Sequence, residues 1–154
     1  MLLIFMGESC TGKSTIASKL KELKKLEIFS GKDYLRFAKN EASAWEVFSE
    51  KLMKASLETD VTKSIIYVVT EKDELSKLDG INSINVKFTA DIDVIKSRFS
   101  KRMKGNLPKP VEKMIERKSL EWKDVKGDLY IDTSNENNIE ENVNKILNLL
   151  EEKR

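Results

Sequence analysis

The sequence predicts an α/β protein with a three-layer α/β/α fold, in which a five-stranded parallel sheet lies between helices. Three observations carry this expectation. Short apolar runs alternate with stretches whose apolar residues recur at helical spacing, in the order β-α-β-αα-β-α-β-αα-β-α; such alternation calls for a parallel sheet with helices on its faces. The run Ser64 to Val69 is filled with β-branched and aromatic residues without polar alternation, as in a strand covered on both faces. The first run, Leu2-Leu3-Ile4-Phe5, leads directly into a glycine-bounded turn, from which a helix begins with Ile16, Leu20 and Leu23 at i, i+4, i+7 on one face.

That turn, Gly7-Glu8-Ser9-Cys10-Thr11-Gly12-Lys13-Ser14-Thr15, reads G-x-x-x-x-G-K-S. This is the P-loop pattern of the P-loop NTPase fold, and its physical demand is that several backbone N–H groups converge on one anion at a helix N-terminus. Gly7 and Gly12 supply the turns. Lys13 places a point charge on β- and γ-phosphates, and the Ser14 hydroxyl suits a Mg²⁺ that bridges them. Residues 7–15 are therefore the expected cradle for a nucleoside triphosphate with Mg²⁺. Cys10 occupies a variable position near a helix N-terminus, where a thiolate is favoured; we expect a bystander that sensitises the protein to thiol reagents.

The remaining elements follow in order. Leu26 to Phe29 reads as a second strand and Ser30-Gly31-Lys32-Asp33 as a turn into a helix through Tyr34, Leu35, Phe37 and Ala38. After a break at Asn40 to Ala42, Trp45, Phe48 and Leu52 mark a further helix that runs out near Thr59-Asp60. The third strand, Ser64 to Val69, precedes a short helix over Lys72 to Leu78 and a turn at Asp79-Gly80. Ile84 to Phe88 is a fourth strand. Asp91 suits an N-cap for a helix carrying Ile92, Ile95 and Phe99, and Pro110 suits the first turn of the next helix, with Val111, Met114 and Ile115. Leu129 to Ile131 is a fifth strand, Thr133 to Asn138 a polar loop, and Ile139, Val143, Ile146 and Leu150 line a closing helix.

Bulk properties narrow the function. The 154 residues suit one domain spanning 1–154, and no linker or internal repeat divides them. Lys and Arg total 28 against 26 Asp and Glu, a formal charge of +2, so nothing demands a nucleic-acid or membrane partner. No apolar run approaches the ~20 residues of a membrane span, and we expect a cytoplasmic protein, monomer or homodimer. Cys10 is the only cysteine and there is no histidine, so catalysis must rest on carboxylates, lysines, arginines and a metal. The motifs of a GTPase switch are missing: Asp124-Val125-Lys126-Gly127 falls too late for D-x-x-G. The third strand also ends without the Asp that holds Mg²⁺ in many P-loop proteins. Asp33, favoured for its place after the second strand, and Glu71 are the candidates to replace it.

Ser30-Gly31-Lys32-Asp33-Tyr34-Leu35-Arg36 resembles the S-T-G-D-x-L-R signature of adenylate kinase and its relatives, the nucleoside monophosphate kinases, with Lys32 at the signature's small residue. The resemblance implies that Arg36 grips the phosphate of an acceptor nucleotide, as a guanidinium fork can. Arg98-Phe99-Ser100-Lys101-Arg102, the loop Lys104 to Pro110 and then Arg117 resemble the LID of this group, which includes shikimate and gluconate kinases. The resemblance implies an acceptor-binding helical insert over about 31–62 and a LID over about 98–118, with Arg98 and Arg102 on the phosphoryl group in flight. It implies that Thr133 to Asn137, Asn135 within it, holds the adenine, with Arg117 on the acceptor side; Trp45, an aromatic able to stack on a substrate ring, is a separate candidate for acceptor contact. The implied function is a Mg²⁺-dependent kinase moving the γ-phosphoryl of ATP to a small acceptor, foremost a nucleoside monophosphate. Two alternatives stay open: an alcohol kinase of the shikimate or gluconate kind, in which Asp33 orients the hydroxyl, and a nucleotide-binding regulator without transfer activity.

Overall fold

The computed structural model describes residues 1–153. Five strands, β1 (Leu2–Met6), β2 (Glu27–Ser30), β3 (Ile65–Val69), β4 (Ile84–Thr89) and β5 (Leu129–Asp132), form one sheet in the order β2-β3-β1-β4-β5. Every neighbouring pair is parallel, with Leu2 opposite Ile65 and Leu3 opposite Ile84. The helices are α1 (Lys13–Lys24), α2 (Glu41–Leu57), α3 (Ile92–Arg102), α4 (Lys109–Trp122) and α5 (Ile139–Lys153).

The central strands are apolar throughout because both of their faces are covered. On β1, Leu3 and Phe5 point to α1 and α5, where they meet Ile16, Leu20, Val143 and Ile146; Leu2, Ile4 and Met6 point to α2, against Phe48, Leu52 and Tyr67. β3 divides in the same way, Ile66 and Val68 to one face, Ile65, Tyr67 and Val69 to the other. A third, smaller cluster joins Cys10 to Ile95 of α3 and Ile115 of α4, so the helix pair over the carboxyl ends of the strands is packed onto the loop after β1.

Several local expectations shift. The buried stripe of α1 runs through Ile16, Ala17 and Leu20 and leaves Leu23 on its edge, 59% exposed. Residues Asp33–Phe37 form a 3₁₀ turn, since the Asp33 carboxylate accepts from the Ser30 N–H at 2.8 Å and tightens the chain before a helix can propagate. Asn40 is the cap of α2: its side-chain oxygen accepts from the Ser43 N–H at 2.8 Å, and the helix stops at Leu57. Lys72–Leu78 is likewise 3₁₀. Asp91 precedes α3 without a side-chain cap bond; its backbone N–H donates to Ser134 Oγ at 2.8 Å, tying the loop after β4 to the loop after β5.

Strand order positions the site. The chain leaves β1 toward β2 and leaves β4 toward β5, so the connections part between β1 and β4, the kind of crevice in which open α/β sheets bind ligands. The loop after β1 fills that crevice. A Cβ on Gly7 (φ +148°) would stand 2.5 Å from the Phe88 carbonyl oxygen of β4, so only glycine lets the two backbones approach this closely. No helix among the described residues is long and apolar enough to cross a membrane.

Candidate active site

The loop between β1 and α1 curls around its own donors. Gly12 is left-handed at φ 83° and so is Cys10 at φ 65°, a conformation that costs a non-glycine residue on the order of 1–3 kcal/mol. Its neighbours hold it there. Arg98 of α3 donates through NH1 to the Cys10 carbonyl at 2.9 Å and to Thr133 Oγ1 at 3.1 Å, and through NH2 to the Thr133 carbonyl. Thr133 Oγ1 in turn donates to the buried Thr11 carbonyl at 2.7 Å. Thr11 closes the turn from within, its hydroxyl donating to the Glu8 carbonyl at 2.8 Å.

Lys13, the first residue of α1, is 5% exposed. Its Nζ donates to the carbonyls of Gly7 at 2.6 Å and Glu8 at 2.5 Å. Burial lowers its pKa from the usual 10.5 to about 8; Glu8 opposes the shift and Arg102 adds to it. A value below that of the unfolded chain means the unfolded state holds this proton more tightly. The Lys13 contribution to stability is thus greatest above pH 10.5, declines as pH falls toward 8 and is level below it. Nucleotide affinity runs the other way, because the phosphates need the ammonium. We expect ATP binding, titrated by fluorescence from about pH 6.5 to 9.5, to weaken above pH 8 by up to about tenfold per unit, and Lys13→Met to flatten the profile. An unchanged Kd in the wild type across that window would remove the charge role of Lys13.

Three cavities meet at this loop. The phosphate-sized cradle is lined by Ser9 to Thr15, Thr70 and Arg102. On one side lies a cavity of about 370 Å³ between the loop after β5 and α3, bounded by Arg98, Arg102, Thr133, Asn135 and Asn142; it shares Gly12, Thr15 and Arg102 with the cradle. On the other side a cavity of about 160 Å³ reaches under α3 and α4 and shares Ser9 and Thr70 with the cradle. Trp122 holds that junction, its indole N–H donating to the Thr70 carbonyl at 3.2 Å.

The residues singled out from the sequence are distributed unevenly over this arrangement. Ser14 and Thr15 face the cradle, as does Arg102, an exposed side chain that no hydrogen bond or ion pair among the described residues ties down. Arg98 is committed to the protein's own carbonyls. Asn135 borders the larger cavity while its side chain caps the Asn137 N–H at 3.0 Å. Asp33 is exposed, bonded to Ser30, and borders neither cavity nor the cradle. Arg36 is also exposed and rests on the faces of Phe29 and Phe37, 5.3 and 5.4 Å from the ring centres. Trp45 belongs to the aromatic packing under α2, edge-on to Tyr34 at 5.1 Å and to Phe48 at 5.7 Å. Arg117 points outward, 67% exposed, beside Glu121.

Its neighbour Lys118 faces the smaller cavity instead and bonds Glu71 Oε2 at 2.5 Å. The sequence does not single out Lys118 or the side chain of Glu8, and it places Thr133 only in the loop expected to hold the adenine. The only signal for Lys118 was its place in a basic helix, which its neighbour shared. Burial pushes the Glu8 carboxyl up, with Lys13 and Lys87 opposing, and its Oε2 is buried without a hydrogen-bond partner. Cys10 departs from expectation: it is 6% exposed, and burial raises its thiol above the ordinary value despite Arg102, Arg98 and Lys13 nearby. The desolvation of a side chain packed against Ile95 and Ile115 outweighs the favourable charges.

Glycine-loop geometry at the head of a parallel sheet defines the class: this is a P-loop α/β/α fold of the shikimate kinase type. Solved structures share it over nearly their whole length. A shikimate kinase from Bacteroides thetaiotaomicron aligns with a TM-score of 0.63 at 14% identity, over 98% of this chain and 98% of that one. A gluconokinase from Sinorhizobium meliloti aligns at 0.62 and 16% identity, over 97% and 91%. An uncharacterised protein from Eubacterium ventriosum aligns at 0.67 and 16% identity, over 98% of each. No protein-family model and no curated protein matches the sequence.

Proposed function

We propose that the protein is a phosphotransferase that moves the γ-phosphoryl group of ATP to the hydroxyl of a small acceptor. The observation that carries this is the adjacency of three spaces: a cradle formed by the glycine loop and Lys13, a larger cavity on one side and a smaller one on the other, each sharing wall residues with it. A regulator that only binds nucleotide has no use for the second cavity. The structural likeness to shikimate kinase and gluconokinase supports the same reading.

In this reading the nucleoside lies beside Asn135 and Asn142, and the amides after Gly7 with Lys13 receive the β- and γ-phosphates. The Ser14 hydroxyl would be the group to hold a Mg²⁺ at the cradle. Such an ion would supply Lewis-acid stabilisation of phosphate charge. Arg102 stabilises the negative charge of transfer from the rim of the cradle. An alcohol acceptor is favoured over a nucleoside monophosphate on two grounds. The smaller cavity is ring-sized, since an apolar cavity of about 150 Å³ accommodates benzene, and Arg36, which a nucleotide acceptor would need, rests on Phe29 and Phe37.

Incubating the protein with ATP and Mg²⁺ against alcohols, amino alcohols, sugar acids and nucleoside monophosphates tests the reading, with ADP release as readout. We expect a hydroxyl compound to raise release well above background and nucleoside monophosphates to leave it unchanged. Binding of ATP without stimulation by any acceptor would return the protein to the regulator class.

A further inference from the structure

The smaller cavity carries a more specific statement, which rests on the phosphotransferase reading above. Glu8 stands at a position the P-loop pattern leaves open. Its backbone is built into the cradle, the carbonyl accepting from Lys13 Nζ at 2.5 Å and from Thr11 Oγ1 at 2.8 Å. Glu8 borders the cavity of about 160 Å³, and its Oε2 is buried in the protein without a hydrogen-bond partner. A buried carboxylate oxygen without a donor is costly. A turn of the carboxyl toward the cavity lets an acceptor hydroxyl supply that donor, beside the Glu8 carbonyl that accepts from Lys13 Nζ at 2.5 Å.

The other charges in the cavity decide what accompanies the hydroxyl. Among the described residues that line it Lys118 is the only cation, and it is engaged by Glu71 at 2.5 Å and Glu121 at 3.6 Å. An acceptor carboxylate or phosphate would have to break that pair while standing beside Glu8. Ser9 and Thr70 add polar wall where the cavity adjoins the cradle, and Ile95, Phe99, Met114 and Ile115 make the remainder apolar. Asp33, the carboxylate favoured from sequence, does not border this space.

We propose that Glu8 is the catalytic carboxylate that orients and deprotonates the acceptor hydroxyl, and that the acceptor is a small alcohol or amino alcohol with an apolar body and no negative charge. In the step, the acceptor oxygen bonds to the γ-phosphorus, and the bond from that phosphorus to the β,γ-bridging oxygen breaks. Its electron pair leaves on ADP, and the hydroxyl proton passes to Glu8.

The test combines an acceptor panel with two variants. Cyclic alcohols and amino alcohols are set against shikimate, gluconate and nucleoside monophosphates, and Glu8→Gln and Glu8→Asp are assayed on the best acceptor, with ATP binding titrated separately. We expect uncharged or amino alcohols to be the better acceptors. Glu8→Gln should lower kcat at least about thirtyfold with ATP affinity within about threefold, and Glu8→Asp should recover part of the loss. A carboxylate or phosphate compound as best acceptor would overturn the acceptor class while leaving a phosphotransferase. Glu8→Gln at near wild-type kcat, a larger loss in Asp33→Asn, or loss of ATP binding in Glu8→Gln would overturn the role of Glu8. If no compound raises ADP release although ATP binds, the phosphotransferase reading falls and this inference with it.

Discussion

Replacing Arg102 with alanine is expected to lower kcat by about 10³-fold while changing ATP affinity by less than about threefold. The side chain sits at the end of α3, exposed, on the border between the phosphate cradle and the larger cavity. Its charge reaches the loop, since it lowers the pKa of both Lys13 and Cys10. A guanidinium that spends none of its donors on the protein can give them to oxygens whose charge grows during transfer, which raises kcat without strengthening ground-state binding. The chain turns immediately afterwards through left-handed Lys104 and Gly105, so α3 presents Arg102 as its last residue before a bend. The competing explanation is local: a cation at a helix C-terminus is favoured by the helix dipole, a contribution of about 0.3–1 kcal/mol. That explanation predicts an unchanged kcat in Arg102→Ala and equal performance of Arg102→Lys. The transfer role predicts that lysine, lacking the planar fork, recovers only part of the loss.

Much of the architecture was legible because its determinants are local in the chain. A strand buried on both faces must be apolar at every position, and β1 and β3 read so at sight. The P-loop is legible for the same reason, since its glycines and lysine answer to one anion within a few residues. Side-chain direction was not. Arg117 and Lys118 are adjacent and both basic, yet a step of about 100° around α4 sends one to solvent and the other into the cavity, and only the packing of α4 on α3 determines which. Glu8 falls on a motif position written as any residue, so nothing in the sequence marks one of its oxygens as buried. Arg36 was read from a signature, but the aromatic surface of Phe29 and Phe37 that it covers comes from two separate elements. The Arg98 and Arg102 pair is the most instructive case. They share a helix face by spacing, yet the first is spent on backbone carbonyls from the loops after β1 and β5, and the second is not.

That division sets the expected behaviour of Arg98→Ala, which should weaken ATP binding by about 10²-fold and lower Tm by about 6–12 °C. Arg98 is 18% exposed and bonds three acceptors, the Cys10 carbonyl and both oxygens of Thr133. Hydrogen bonds from a charged donor contribute about 1.5–3 kcal/mol each, and truncation leaves the partner carbonyls unsatisfied. Because the three share one guanidinium they do not add fully, and a net loss of about 3 kcal/mol follows. Part of that energy holds Cys10 in its left-handed conformation and so keeps the loop amides converged. Without it the loop must be ordered at the moment ATP binds, and the cost appears in Kd. Thr133→Val, which removes the bond to the Thr11 carbonyl and one bond from Arg98, should move both quantities the same way by less. Calorimetric melting and direct nucleotide titration separate this from a role in transfer. An Arg98→Ala protein with native Tm and Kd but a collapsed kcat would show that the guanidinium leaves its carbonyls for the phosphoryl group during the reaction, and that the contacts seen here belong only to the resting enzyme.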